Sequence, residues 1–236
     1  MNIEKMMTPR LFAAASFVKT NSNVADVGTD HAYIPIWLVK QGICPFAIAM
    51  DINHGPLLRA KKNIESFGLQ EQIHTKLSDG LCALEPGEID TVVICGMGGI
   101  LINRILEDGT HLYSTIKHYV LQPMTAIEET RKFLEAHHFL IQDERLAQEN
   151  DKIYTILSVV PGKMHMEKEL DYHVGPCLVQ NKDPLLAAYL DGRLYELEKA
   201  ITSMSQTNHQ EVLCRREKFV SLYDDMKQLK EACATW

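Results

Sequence analysis

The sequence predicts an α/β fold: a largely parallel seven-stranded sheet covered by helices, followed by a helical hairpin. Three observations carry this. From Val24 to about Val160, short β-branched runs alternate with helical stretches, the pattern of strand–helix–strand units. The last two β runs, at about 139–147 and 152–160, follow each other without a helix between them, as a closing antiparallel pair does. Beyond Pro161-Gly162 the β-branched runs stop, and apolar residues recur at the spacings of packed helices.

Taken in order, a helix over about 8–20 precedes the first strand, Val24-Ala25-Asp26-Val27. The next strands are Phe46–Met50, Ile73–Leu77, Thr91–Cys95 and Tyr119–Leu121, before the closing pair. Helices fit at 33–41, 56–67, 99–107 and 125–137. Residues 163–184 are mixed, with Gly175-Pro176 and Asp183-Pro184 as breakers. Leu190, Leu194, Leu197, Ile201 and Met204 then mark one helix, and the polar Ser205 to Gln210 interrupts it. In the second helix Val212, Phe219, Met226 and Cys233 repeat every seven residues, with Leu222, Leu229 and Trp236 between them and Arg215 breaking the seam. Heptads on both sides of a short turn predict an antiparallel coiled-coil hairpin. Two domains are expected, 1–162 and 163–236.

Composition narrows the function classes. At 46% hydrophobic and 23% charged, the 236-residue chain reads as an ordinary globular protein. Its longest uncharged run, Thr91 to Asn103, is glycine-interrupted and short of the ~20 apolar residues that cross a bilayer, so no membrane association is expected. The start, Met1-Asn2-Ile3-Glu4-Lys5, lacks an export signal, and a cytoplasmic location is expected. The six cysteines never fall as Cys-x-x-Cys, so buried thiols in a reducing compartment are expected, with no metal site. A net charge of −7 argues against wholesale wrapping of nucleic acid, while leaving room for a local basic patch.

Candidate chemistry gathers after the predicted strands, where open α/β sheets bind ligands. Asp26-Val27-Gly28-Thr29-Asp30-His31 follows the first strand. Its single glycine lets the backbone approach a ligand, and the absence of Gly-x-Gly-x-x-Gly disfavours a pyrophosphate cradle. Asp51, followed by Ile52, ends the second strand, where a carboxylate accepts ribose hydroxyls of NAD or S-adenosylmethionine (SAM) alike. Ser78-Asp79-Gly80 follows the third strand, with an acid able to accept from an adenine amine. Cys95-Gly96-Met97-Gly98-Gly99 follows the fourth and reads as a bare backbone floor. Gln122, after the fifth, is either a cleft residue or a turn residue. The single-glycine turn flanked by acids suits a ligand with an amino-acid end and no phosphates, and acids after three successive strands are jointly more specific than any one. Five strand–helix steps and a final hairpin also match the seven-stranded, Rossmann-like sheet of SAM-dependent methyltransferases.

The run Val24-Ala25-Asp26-Val27-Gly28-Thr29-Asp30-His31-Ala32-Tyr33-Ile34-Pro35 closely resembles the Asp-x-Gly-Thr-Asp-His-Ala-Tyr-Leu-Pro motif of bacterial TrmK-like tRNA (adenine(22)-N1) methyltransferases. So do Asp51-Ile52-Asn53-His54-Gly55-Pro56-Leu57, Ser78-Asp79-Gly80-Leu81 and Gly96-Met97-Gly98-Gly99. Ile34 stands for the commoner Leu, and His54 lies where an acid is frequent. The resemblance implies SAM as methyl donor, N1 of adenine 22 of tRNA as acceptor, and a C-terminal coiled-coil domain. Asp26, Gly28, Asp51, Ile52, Asp79, Gly80, Gly96 and Met97 are assigned to SAM. Asp30 is the candidate stabiliser of the cationic methylated base, with His31 and Tyr33 shaping its pocket. Arg215, Arg216 and Lys218 are the candidate tRNA contacts on the hairpin. The chain is expected to act as a monomer, with a hairpin-mediated dimer as the alternative. Competing readings are a SAM-dependent methyltransferase acting on a protein or small molecule, a dinucleotide-dependent oxidoreductase, and a non-catalytic tRNA-binding module.

Overall fold

Parallel strands are covered on both faces and so consist of uninterrupted buried residues. β1 (Val24–Val27), buried throughout, is such a strand. In this computed structural model, which describes residues 2–204 and 209–236, the chain forms two compact units, Met1–His165 and Met166–Trp236.

The first unit is built on β1, β2 (Ala47–Asp51), β3 (Ile73–Leu77), β4 (Thr91–Met97), β5 (His118–Pro123), β6 (Phe139–Glu149) and β7 (Lys152–Pro161). They lie in the order β3-β2-β1-β4-β5-β7-β6, with β1 to β5 parallel and β7 antiparallel to both neighbours. Chain order reverses between β1 and β4, which opens a crevice at their carboxyl ends.

Helices α1 (Pro9–Ala15), α2 (Tyr33–Lys40), α3 (His54–Phe67), α4 (Gly99–Asp108) and α5 (Ile127–Ala136) cover the sheet. α1 is shorter than the expected 8–20 helix. At its C-cap the Ser16 hydroxyl donates back to the Ala13 carbonyl, a local bond that competes with the helix ladder. Among the described residues no α-helix joins β3 to β4. α5 is tied to β6 by an ion pair with no exposed surface: Arg131 Nε and Nη2 donate to Glu144 Oε1 at 3.0 and 2.7 Å.

The second unit contains α6 (Glu169–Val174), α7 (Pro176–Gln180), α8 (Leu186–Met204) and α9 (Gln210–Cys233). α6 and α7, on either side of Gly175, resolve the mixed segment into single helical turns too short to show a period. Lys230, late in α9, pairs with Asp191, early in α8, so the two run antiparallel. Leu186, Tyr189, Leu190 and Leu197 are buried on α8, and Leu222 and Met226 on α9. Val212 and Phe219 are only half-buried, so the seam loosens toward the turn. Trp236 leaves the expected seam altogether: α9 ends at Cys233, and the indole is 41% exposed with Lys182 Nζ 6.0 Å from its ring centre. Most of the polar interruption between the two helices, residues 205–208, lies outside the described residues, and Gln210 opens α9.

Candidate functional site

The carboxyl ends of β1, β2 and β4 meet at the reversal point, and backbone hydrogen bonds fix the turns that follow them. Gly28 and Thr29 both donate to the Met50 carbonyl at 2.8 Å, and Ser78 donates to the Asp51 carbonyl at 2.9 Å. Gly28 has φ +77, and a Cβ there would lie 2.0 Å from the Met97 methyl. The backbone is therefore bare at the crevice floor, faced among the described residues by the tip of a flexible thioether. Asp26 is buried beneath this turn. Burial pushes its carboxyl up to about 6, partly offset by a hydrogen bond from Thr29.

Farther along the edge, Asp51 accepts from the Asn53 amide through Oδ1 at 2.7 Å. Ile52 and Leu77, large apolar side chains at the ends of β2 and β3, are 58% and 46% exposed. Between them and Gly80 lies the exposed Asp79, whose carboxylate accepts no hydrogen bond among the described residues. Ser78 is buried and spends its hydroxyl on the loop itself, bridging the Gly80 carbonyl and the Ala83 amide. At the fourth strand, Gly96 is the extra residue of a bulge between Cys95 and Met97, which carries β4 two residues beyond its expected end. Gly99 serves packing: a Cβ there would lie 2.4 Å from the Ala126 carbonyl and Thr130 hydroxyl oxygens of the α5 start.

Asp30, His31 and Tyr33 form one cluster at the crevice mouth. The Thr29 hydroxyl accepts the Ala32 amide at 3.0 Å, and Ala32 sits at φ 56, a strained state for a residue with a side chain. His31 Nε2 is 3.2 Å from Asp30 Oδ2, and the His31 and Tyr33 rings stack at 4.9 Å. Arg59 from α3 was not singled out by the sequence, yet it donates from both Nε and Nη2 to Asp30 Oδ1. Asp30 is therefore a half-exposed carboxylate already flanked by a cation.

Arg10 likewise carries no signal in the sequence. Gln122, fully buried at the end of β5, accepts through Oε1 from the Gly96 amide at 3.0 Å and from Arg10 Nη1 at 2.6 Å. Gln122 thus lies beneath the surface and pins the β4 bulge from behind. Arg10 comes from α1, with Glu149 Oε2 3.5 Å from its Nε and the Tyr154 ring 5.5 Å from its guanidinium. No local spacing announces a contact between residues 112 positions apart.

In the second unit, Arg215 and Lys218 are exposed, with the Arg215 guanidinium 5.3 Å from the Phe219 ring. Arg216 is half-buried, and its Nε is enclosed without a hydrogen-bond partner among the described residues.

Comparison with known proteins places this arrangement. The profile of the tRNA (adenine(22)-N(1))-methyltransferase family matches residues 24–224. The tRNA (adenine(22)-N(1))-methyltransferase of Bacillus subtilis is 30% identical over 237 residues, covering 97% of each chain. A Streptococcus pneumoniae structure solved with SAM superposes with a TM-score of 0.85 at 34% identity, over 95% of this chain and all of that one. M. capricolum TrmK, solved with S-adenosyl-homocysteine, superposes with a TM-score of 0.77 at 31% identity, over 97% of this chain and 98% of that one. Profile, overall sequence and fold agree along nearly the whole length, and the chain belongs to the tRNA (adenine(22)-N(1))-methyltransferase family.

Proposed function

We propose that this chain transfers the methyl group of SAM to N1 of adenine 22 in tRNA. The observation that carries the reading is the buried Asp26 beneath the bare face of Gly28, in series with Asp51 and Asp79 after successive strands.

These residues fit SAM. Asp26, poor in protein partners, would accept from the ammonium of the amino-acid end. Asp51 keeps its Oδ2 for ribose hydroxyls, while Ile52 and Leu77 offer apolar surface to a purine face. Asp79 would accept from the adenine amine, with Gly80 closing the turn behind it. The Gly28 face needs only the Met97 thioether to swing aside, and Gly96 and Met97 border the same floor. When bound, SAM supplies a methyl on a sulfonium.

The remaining work falls to the chain. Adenine N1 carries its lone pair in the ring plane, so no base is needed before attack, and catalysis reduces to alignment and charge stabilisation. N1 lies on the Watson–Crick edge, so the base must be unpaired and drawn out of its stack. The stacked His31 and Tyr33 rings form a wall for it, and Asp30 accepts from its amino group as positive charge develops. Arg59 holds Asp30 in place at the cost of part of its field. Arg215, Arg216 and Lys218 grip the tRNA body, and the protein works as a monomer in the cytoplasm. None of the described helices is long and apolar enough to cross a membrane.

Incubation with labelled SAM and unmodified tRNA, followed by nucleoside mapping, tests the proposal. Label in 1-methyladenosine at position 22 is expected. Label in another nucleoside, or in protein only, overturns it.

A further inference from the structure

The strand-end crevice is ringed by carboxylates (Asp26, Asp30, Asp51 and Asp79), and the chain carries a net charge of −7. Bringing a polyanion to this opening requires a cation on the spot, because phosphate contacts supply most of the affinity of nucleic-acid binders. Among the described residues, Arg59 and Arg10 stand at the opening. Arg59 is committed to Asp30 through two of its nitrogens. Arg10 is placed differently. Its Nη1 lies 3.5 Å from where a Gly96 Cβ would be, directly over the β4 bulge. The guanidinium is held in orientation by Gln122, by the Tyr154 ring and, through Nε only, by Glu149. Nη2 has no hydrogen-bond partner among the described residues, and the side chain is 19% exposed. It is an oriented, partly desolvated cation with one donor edge unspent.

We propose that Arg10 binds a backbone phosphate of the nucleotide that carries the target adenine, and so positions that base over Gly96–Met97. The planar fork of a guanidinium matches phosphate oxygens, and an already ordered side chain loses little freedom on binding. The base itself is the wrong partner, since its reacting edge becomes cationic on methylation and would be repelled. The phosphate is the anionic part of the same nucleotide. This inference rests on the tRNA reading above, and its test separates the two.

The test is tRNA affinity over a salt series for wild type, Arg10→Gln, Arg10→Lys and Glu149→Gln, with SAM affinity by calorimetry as a control. Removing one phosphate interaction should lower the slope of log affinity against log salt by about 0.7–0.9. Arg10→Gln should show that drop and a tRNA affinity ~10-fold weaker, with SAM affinity within about twofold. Arg10→Lys should keep the slope. Glu149→Gln should move the other way, tightening tRNA binding by about two- to fivefold, the worth of a partly exposed ion pair. If Arg10→Gln weakens binding with an unchanged slope, Arg10 merely props Gln122 and the bulge, and the inference falls. It falls equally if binding is unchanged. Should Arg10→Gln fail to fold, Glu149→Gln decides alone: a structural network predicts damage there, a phosphate clamp predicts a gain. If wild type does not bind tRNA at all, the functional reading fails first.

Discussion

The strand-end crevice and the helical hairpin use charge in opposite ways. In the first unit, several polar groups are buried and held to fixed partners: Asp26 under its turn, Gln122 between Gly96 and Arg10, and Arg131 against Glu144. In the hairpin, most of the charges lie on solvent. Lys230 and Asp191 are 39% and 60% exposed, and the basic run Arg215-Arg216-Glu217-Lys218 makes no inter-helical ion pair among the described residues. A charge buried in the sheet unit is committed to one partner and one geometry, because an unpaired ion there is expensive. An exposed charge on the hairpin, such as that of Lys218, is held by the fold to no such single geometry.

Two ion-pair deletions should differ most in their cost. Arg131→Met leaves Glu144 in a fully buried site and should cost about 3–5 kcal/mol of stability. Lys230→Met removes an exposed partner and should cost about 0–1 kcal/mol. Urea unfolding of both variants checks this. Equal costs would mean that the two units do not differ in this way.

Asp30→Asn comes next. It removes the carboxylate but keeps the side-chain shape, and should slow methylation by about 10²-fold, as loss of one electrostatic stabiliser does. Asp30 lies outside the groups assigned to SAM, so calorimetry should find SAM affinity little changed. A wild-type single-turnover rate would show that Arg59 already cancels the charge of Asp30, and that the stabiliser lies elsewhere.

Asp26 makes stability depend on pH. Its folded carboxyl titrates at about 6 against an ordinary 3.8, so the folded state holds the proton more tightly and stability falls as pH rises from about 4 to about 6. His118, buried with Nε2 2.8 Å from the Ser158 hydroxyl, does the reverse. Burial lowers its folded value to about 4 from 6.5, so stability falls as pH drops through that range. In wild type the two slopes offset each other between about pH 4 and 6. Asp26→Asn should therefore raise stability at pH 7 by on the order of 2 kcal/mol, because holding a carboxylate ionised in a site that favours its protonated form costs free energy. It should also unmask the His118 slope, roughly 1.4 kcal/mol lost per pH unit on acidification, and weaken SAM binding. A variant less stable than wild type at pH 7 would mean that Asp26 serves the fold and not the ligand.

The same contrast explains what was legible in the sequence. Strands buried on both faces, such as Val92–Ile94, announce themselves as β-branched runs, and the acids at the crevice were legible because each lies at or near the carboxyl end of an expected strand. The heptads were legible for the same reason, a period imposed by burial, and failed where burial ends, at Trp236. What escaped depends on folding distant segments together. Arg59 reaches Asp30 across 29 positions, Arg10 reaches Gln122 across 112, and the Gly96 bulge exists because a buried amide side chain takes over its N–H. No local pattern encodes such pairings. They follow from the strand order, and only the finished sheet displays them.

The smallest expected effect is on the hairpin, and the structure changes which residues should be used to find it. Arg216 is half-buried with an enclosed Nε, so reversing its charge would disturb packing as well as binding. Arg215 and Lys218 are exposed, and their reversal to Glu should leave unfolding midpoints nearly unchanged. Every phosphate that a reversed side chain no longer neutralises should lower the salt slope of tRNA binding by about 0.7–0.9, with a modest loss of affinity at physiological salt. The region as a whole opposes binding, since the ten Lys and Arg after residue 162 face twelve Asp and Glu. A real effect must therefore come from local clustering and not from net charge, which makes position the discriminating variable. Reversal of Lys227, farther along α9, should change the slope less than reversal of Lys218. If Arg215→Glu/Lys218→Glu binds tRNA with wild-type affinity and slope, the hairpin is a structural appendage, and recognition belongs to the sheet unit alone.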